Sequence, residues 1–141
     1  MAATSAHLPR GIRNNNPLNI RISGIAWKGK IPLSQNTDGS FEQFDSMQHG
    51  LRAALINIRT YINRYKCNTP QTIISRWAPA SDGNNTRAYV QRVCELTSFA
   101  SGRMIRFAER STVCRLVWAM AAVECGQVID FETIYSAYAS I

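Results

Sequence analysis

The sequence predicts a mainly helical protein with a small β-element near its N-terminal end, an α+β arrangement in which helices dominate. Apolar residues recur at spacings of three and four through most of the chain after residue 45, which is the period of an amphipathic helix. Residues 11–33 are instead rich in Asn, Gly and Pro, which favour loops and turns. A length of 141 residues is sufficient for one domain with a single buried core.

The segment before residue 45 is expected to contain an arm, loops and a hairpin. Residues 1–10 are predicted to form a flexible arm, followed by a single domain over residues 11–141. Apolar and polar residues alternate around Trp27 and again over residues 40–44, with the turn-rich segment 34–39 between them. This arrangement predicts a small β-hairpin.

The remainder of the chain should form five or so helices in succession, including one short piece. The predicted helices cover residues 45–65, 68–79, 86–97, 103–110, 111–126 and 130–138. Asp45 or Ser46 can cap the first helix, because a side-chain oxygen there accepts a hydrogen bond from a free N–H group. For the same reason Asn68 or Thr69 can cap the second helix. Asp130 can cap the last.

The chain is basic, with 16 Lys and Arg residues against 9 Asp and Glu residues and a net charge of +7. Such a balance favours a polyanionic partner, which can be nucleic acid, an anionic membrane face or the acidic bacterial envelope. The basic residues are scattered and form no tract, which argues against a dedicated nucleic-acid-binding arm. Charge therefore narrows the class of partner without identifying it.

Membrane, export and metal signals are absent from the sequence. No apolar run is long enough to span a bilayer, and residues 1–10 lack the apolar core of a signal peptide. A target outside the cytoplasm would therefore require another delivery route. The cysteines show no CxxC spacing and the two histidines lie far apart, so no metal site and no cofactor are predicted. Of the four cysteines, Cys94, Cys114 and Cys125 lie among apolar residues and are expected to be free, buried thiols, and Cys67 is the fourth.

The helix predicted at residues 111–126 is apolar on all faces from Cys114 to Val123, apart from Arg115. A helix of this kind is normally buried in the middle of a domain. Glu124 stands in its last turn, where the negative end of the helix dipole and partial burial should both raise the pKa of its carboxyl. Glycoside hydrolysis requires a carboxyl that is still protonated near neutral pH. The alternative is that Glu124 emerges into solvent and pairs with an arginine.

Three segments resemble known enzymes of the bacterial cell wall. Residues 119–126, Ala-Met-Ala-Ala-Val-Glu-Cys-Gly, resemble the catalytic-glutamate segment of lytic transglycosylases and related muramidases. Residues 85–93 are similar to the Glu-Thr-Arg-x-Tyr-Val-x-x-Val stretch that closes the cleft of the same enzymes. Residues 10–21, together with 27–29 and 41–46, resemble a phage and prophage family of virion-associated lysozyme-like muralytic proteins.

The resemblance implies a lysozyme-like domain that is circularly permuted, since the glutamate helix comes last in this chain. It also implies a glycosidase that cleaves the MurNAc–GlcNAc β-1,4 bond of peptidoglycan, with Glu124 as general acid and base. Its partners would be glycan strands and other virion or lysis proteins, and it would act in the periplasm or cell wall. Cys125 stands where these enzymes usually carry serine, and Leu18 where the phage family commonly carries glycine.

The implied cleft has several candidate substrate-binding residues in addition to Glu124. Asparagine amides can bind N-acetyl groups and hydroxyls of the sugars, but asparagine is equally typical of turns. Aromatic rings can stack on sugar faces, whereas a threonine before a helix can simply cap it. The candidates are Asn15, Asn16, Asn19, Trp27, Asn85, Thr86 and Tyr89.

A second catalytic carboxylate is not evident from the sequence. The acids in the loops expected near the cleft are Asp38, Glu42, Asp45 and Asp82. None lies in a recognised motif, so a lytic transglycosylase, which needs one carboxyl, is the most economical mechanism. A hydrolytic muramidase would need one of these acids to activate water. A non-catalytic phage structural or glycan-binding protein with the same fold is the remaining alternative.

Overall fold

The computed structural model describes residues 8–141, and the first seven residues of the predicted N-terminal arm lie outside this range. Within it the protein is mainly helical, as the sequence predicts. The α-helices are α1 (Arg10–Arg13), α2 (Met47–Asn63), α3 (Pro70–Trp77), α4 (Thr86–Thr97), α5 (Arg110–Cys125) and α6 (Phe131–Ala139). Two short 3-10 turns lie in the loops, at Leu33–Gln35 and Ala80–Asp82.

Helices α2 to α6 begin and end within two residues of the predicted positions, except that the short piece at 103–110 does not form. Ser46 caps α2 by accepting a hydrogen bond from the first turn. Thr69 caps α3 in a reciprocal exchange with Thr72, and Asp130 caps α6. Local capping chemistry therefore predicted where these helices start.

The prediction of a helix at 103–110 is wrong, since this segment is irregular, with one turn, up to the start of α5. Ile105 is fully buried here, and its N–H donates a 2.6 Å hydrogen bond to the Asn68 carbonyl ahead of α3. A buried backbone N–H needs a partner, and in this segment another part of the chain supplies it. Helix α1 has only four residues, too few to carry a periodic pattern.

Helix α5 occupies the centre of the fold. Helices α4 and α6 pack along it and α1 contacts it, while α2 packs against α6 and α3 against α4. Leu116, Val117 and Met120 of α5 have no exposed surface. Full burial of such a side chain stabilises the fold by about 1.5–3 kcal/mol. The position predicted for this helix, in the middle of the domain, is confirmed.

The predicted β-hairpin is present among the described residues only as two isolated antiparallel bridges, Arg21 with Phe41 and Lys30 with Phe44. Side-chain hydrogen bonds also connect the segments of this region. Glu42 is buried, and its carboxylate accepts bonds from the Lys30 ammonium at 2.9 Å and from the Ser23 N–H at 3.2 Å. The result is a loop structure stabilised by an internal ion pair.

The segment after α1 is a tight asparagine turn packed against α2. Asn15 and Asn19 both adopt the left-handed conformation, with φ of 52° and 54°, which asparagine tolerates better than most residues. Asn16 is fully buried, and its amide donates 2.9 Å hydrogen bonds to the carbonyls of Ile20 and Glu42. This turn joins the N-terminal helix to the bridged region.

No helix in residues 8–141 is both long enough and apolar enough to cross a membrane. The four cysteines are free. Cys114 and Cys125 are buried in α5, as expected, whereas Cys94, also expected to be buried, is partly exposed, as is Cys67.

The close approach of the asparagine turn to α2 depends on Gly50. A Cβ atom on Gly50 would lie 1.8 Å from the Asn15 carbonyl oxygen. Replacement of Gly50 by Ala should displace the turn and lower the free energy of unfolding by about 2 kcal/mol or more, despite the better helix propensity of Ala. Gly102→Ala is the matched control, because its Cβ would meet nothing within 4 Å, and it should change stability by less than about 0.5 kcal/mol. Equal stability of the two variants in urea unfolding would contradict this packing.

Candidate active site

Glu124 lies in the last turn of α5, where the buried helix comes to the protein surface. Its side chain is partly buried. The helix ends at Gly126, whose left-handed backbone (φ 71°) lets its N–H bond to the Ala122 carbonyl. A carboxylate at this end of a helix faces the negative pole of the helix dipole, so α5 itself does not stabilise the charge. Groups from other elements surround the carboxyl instead.

Asn19, from the asparagine turn, is the closest of these groups. Its amide nitrogen donates to Oε1 of Glu124 at 3.1 Å and to the Glu124 backbone carbonyl at 3.3 Å. One side chain therefore satisfies a carbonyl at the end of α5 and also orients the carboxyl. Its Oδ1 atom is buried and has no hydrogen-bond partner among the described residues.

Tyr89, from α4, is a second neighbour of Glu124 and lines the same cavity. The residue is only 8% exposed, and its hydroxyl lies 3.5 Å from the Met120 carbonyl oxygen, one helical turn before Glu124. Burial raises the pKa of the Tyr89 hydroxyl well above its usual value, and the neighbouring Glu124 charge raises it further. Tyr89 is therefore a neutral hydroxyl group beside the carboxyl, and its buried ring is not a stacking platform for a sugar.

Burial raises the pKa of Glu124, and this effect outweighs three others that lower the pKa. These are the hydrogen bond from Asn19, the nearby Tyr89 hydroxyl and the positive charge of Arg21. Removing a carboxylate from water penalises its charged form, so the carboxyl keeps its proton to a higher pH than an exposed glutamate. The protonated carboxyl can act as a proton donor to a bound ligand.

Two cavities have Glu124 or its hydrogen-bond partner Asn19 in their linings. The acid cavity, of about 340 Å³, is lined by Asn84, Asn85, Ala88, Tyr89, Val123 and Glu124. The arginine cavity, of about 300 Å³, includes Asn19, Arg21, Trp27, Asn57, Tyr61, Arg76, Trp77 and Asp82 in its lining. The Asn19–Glu124 hydrogen bond therefore links a residue of one lining to a residue of the other.

The structure brings together five of the residues singled out from the sequence. Glu124, Tyr89 and Asn85 line the acid cavity, while Asn19 and Trp27 line the arginine cavity. Asn85 also caps α4 by accepting a 3.1 Å bond from the Ala88 N–H. The Nε1 atom of Trp27 is buried and has no partner among the described residues.

Three other candidates have structural roles. Asn16 uses its amide within its own turn, and Asn15 donates to the Phe44 carbonyl at 3.1 Å. Thr86 donates a 2.6 Å bond to the Ala78 carbonyl and lines neither cavity. For Asn15 and Asn16 this is the turn chemistry weighed in the sequence. Thr86 was weighed as the cap of α4, but Asn85 caps that helix, and Thr86 instead ties its start to the preceding loop.

Several residues of the arginine cavity were not identified from the sequence. Asn57 and Tyr61 lie one turn apart on α2, and Arg76 lies in the last turn of α3. The neighbouring Trp77 also lines this cavity while packing, partly buried, against the core, and its Nε1 donates to the Leu18 carbonyl at 3.1 Å. The pair on α2, an amide and a phenol at helical spacing, was the available signal.

The acids near the site are mostly paired. Asp38 accepts two 2.7 Å bonds from the Arg10 guanidinium, which holds the pKa of its carboxyl well below the usual range. Glu42 is paired with Lys30, and the Asp45 carboxylate contacts His49. Asp82 is exposed in the arginine cavity and makes no ion pair with any residue in 8–141.

The raised pKa of Glu124 predicts how stability changes with pH. Because the folded state holds this proton more tightly than the unfolded state, ionisation of Glu124 costs stability as pH rises above the usual glutamate pKa of 4.5. The Glu124→Gln variant avoids this cost, so its Tm relative to the unmodified protein should rise between pH 4 and pH 8. Glu95→Gln, an exposed position on α4, removes the same charge and serves as the control. A Tm difference for Glu124→Gln that falls with pH would contradict the raised pKa.

Comparison with known proteins gives one informative result. No protein-family model matches this chain. The chain is 41% identical over 91 residues to "Protein P5" of Pseudoalteromonas phage PM2. The match covers 62% of this chain and 55% of that protein, so it spans little more than half the length of the relative. The chain is therefore similar to a phage protein whose name states no activity.

Proposed function

We propose that this protein is a lysozyme-like glycosidase of the lytic transglycosylase type, which degrades peptidoglycan, and that Glu124 is its general acid and base. The observation that carries the proposal is the Glu124 carboxyl itself. It is partly buried, burial raises its pKa, and it lines a cavity that a sugar can enter. These are the properties that protonation of a glycosidic oxygen requires.

The proposed reaction needs one carboxyl in two protonation states. In the first step Glu124 donates its proton to the oxygen between MurNAc and GlcNAc while the bond from that oxygen to C1 breaks. The leaving sugar departs as an alcohol, and positive charge develops at C1 of MurNAc. In the second step the Glu124 carboxylate removes the proton from the C6 hydroxyl of the same MurNAc as its oxygen bonds to C1. The product carries a 1,6-anhydro ring, no water is consumed, and Glu124 is protonated again.

The neighbours of Glu124 support these two steps. The Asn19 amide orients the carboxyl through Oε1 and remains a donor when the carboxyl is ionised. The neutral Tyr89 hydroxyl lies close to the carboxyl, and Asn85 lines the cavity where the N-acetyl groups of the substrate would lie. Trp27 adds apolar surface in the arginine cavity, where the strand would continue.

A role in a phage agrees with the similarity to a phage protein and with the charge of the chain. The net charge of +7 favours association with the acidic bacterial envelope. We therefore propose that the protein acts on host peptidoglycan in the periplasm or cell wall, either from a virion or beside other lysis proteins. The lysozyme-like fold and its circular permutation are part of the same proposal.

The second candidate is a hydrolytic muramidase, which the unpaired state of Asp82 favours. Asp82 lines the arginine cavity and forms no ion pair with another described residue. In an inverting mechanism its carboxylate would activate the water that attacks C1. The two mechanisms differ in their products, since hydrolysis leaves a reducing end in place of the anhydro ring.

Replacement of Glu124 by Gln should reduce the release of soluble muropeptides from purified peptidoglycan by about 100-fold or more, because an amide cannot supply the proton. Circular dichroism should show an unchanged helical content. Glu95→Gln, which removes an exposed charge on α4, should retain activity. Unaltered release by Glu124→Gln would remove Glu124 from its role. Absence of release by the unmodified protein would favour a non-catalytic, glycan-binding phage protein.

Mass spectrometry of the released fragments distinguishes the two mechanisms. We expect anhydro ends from the unmodified protein and the same anhydro ends from Asp82→Asn, at a rate within about tenfold, since the proposed reaction uses no second carboxylate. Reducing ends from the unmodified protein, together with a loss of about 100-fold or more in Asp82→Asn, would establish the hydrolytic alternative.

A further inference from the structure

Two guanidinium groups in the arginine cavity, those of Arg21 and Arg76, are not used by the proposed proton transfers. Both side chains belong to exposed residues, and both line the cavity beside the Asn19–Glu124 contact. Neither forms an ion pair with any residue in 8–141. A cavity of about 300 Å³ with two unpaired guanidinium groups is suited to a ligand that carries negative charge.

Arg76 is held in position by two tyrosine rings. Its guanidinium carbon lies 3.7 Å from the centroid of the Tyr65 ring and 5.2 Å from that of Tyr61. Stacking on aromatic faces restricts a long side chain while leaving the N–H groups at the edge of the guanidinium plane free to donate. Arg76 is therefore a fixed donor group that has no acceptor among residues 8–141. A ligand could supply one.

Arg21, like Arg76, lies against an aromatic ring. Its guanidinium carbon lies 5.2 Å from the centroid of the Phe41 ring, which Arg10 also approaches at 4.4 Å. Arg10 is engaged with Asp38, whereas Arg21 has no carboxylate partner among the described residues. Arg21 is also close enough to Glu124 for its charge to lower the pKa of that carboxyl. Arg21 thus connects the arginine cavity electrostatically with the acid.

We infer that the arginine cavity binds a carboxylate carried by the muramic acid side of the glycan strand, with Arg76 and Arg21 as its donors. This inference rests on the proposed function, and it assigns the MurNAc side of the cleaved bond to the arginine cavity and the GlcNAc side to the acid cavity. A muramic acid differs from N-acetylglucosamine by its lactyl group. In peptidoglycan this group either ends in its own carboxylate or continues into a peptide that carries carboxylates.

The remaining lining of the cavity agrees with such a ligand. Asn57 and Tyr61 are neutral groups capable of hydrogen bonding, and Trp27 and Trp77 provide apolar surface. Asp82 is the acid of this cavity, so the lining carries two positive charges and one negative charge. The balance favours a ligand with one carboxylate at the arginines and neutral sugar hydroxyls elsewhere.

The test measures equilibrium binding in the Glu124→Gln background, where the strand is not cleaved. The three probes are soluble glycan strands with stem peptides, the same strands after an amidase has exposed the lactyl carboxylate, and chitotetraose, which has no carboxylate. Addition of Arg76→Gln should raise Kd about tenfold for carboxylate-bearing strands and less than about twofold for chitotetraose, because a charge-assisted pair is lost. Arg21→Gln should act in the same direction.

Arg106→Gln is the matched control, since Arg106 is exposed and lines neither cavity. It should leave all three Kd values within about twofold, which separates a specific site from the general attraction of a basic protein for anions. If the arginine variants lose affinity only for strands with stem peptides, the bound carboxylate belongs to the peptide. If they lose affinity for the stripped strands, the bound carboxylate is that of the lactyl group.

The inference would be overturned if Arg76→Gln weakened the binding of chitotetraose as much as that of the other probes, or if it weakened the binding of none. Failure of every carboxylate-bearing strand to bind would overturn it as well. The proposed catalytic function is judged separately, by muropeptide release from the unmodified protein. Release without an effect of Arg76→Gln would therefore reject the carboxylate site alone, whereas arginine-dependent binding without release would reject the catalysis alone.

Discussion

Burial of α5 is the constraint on which the rest of the structure depends. A helix that is apolar on all faces is stable in water only when other elements cover it, and here α4, α6 and α1 do so. The residues that the packing buries, such as Leu116 and Met120, each contribute about 1.5–3 kcal/mol. The same packing carries Glu124, at the end of α5, into a partly buried position. The free energy that stabilises the core thus also offsets the cost of holding a carboxyl away from water.

The asparagine turn links the N-terminal region to this carboxyl. Gly50 allows the Asn15 carbonyl to approach α2, and the buried amide of Asn16 holds the turn closed. Asn19 then extends from the turn to Glu124. Residues far apart in sequence meet because the amide nitrogens of the turn find their partners elsewhere in the chain, and the bond from the Asn19 amide to Glu124 fixes the direction in which that side chain points. Orientation of the candidate acid therefore depends on a loop that contains little regular secondary structure.

Charges are distributed unevenly between the scaffold and the cavities. Asp38 and Glu42 are paired with Arg10 and Lys30, and both pairs stabilise the loops before α2. Glu124 and the cavity arginines lack such partners among the described residues. A charged group that the fold leaves unpaired in a cavity is available to a ligand, whereas a paired one is not. This distinction, and not the overall net charge, locates the candidate site on a protein that is basic throughout.

The sequence by itself determined the helical class, the bounds of α2 to α6 within two residues, and the burial of α5, because caps and apolar periodicity are local properties. It also singled out Glu124, Asn19, Tyr89, Asn85 and Trp27. Only the tertiary structure decided which asparagine reaches the carboxyl, that Tyr89 is buried, and that the segment at 103–110 is not helical but bonds through the Ile105 N–H to the Asn68 carbonyl. It alone placed Arg76 and Tyr61 beside Arg21. These outcomes depend on contacts between distant segments, for which a single sequence carries no periodic signal.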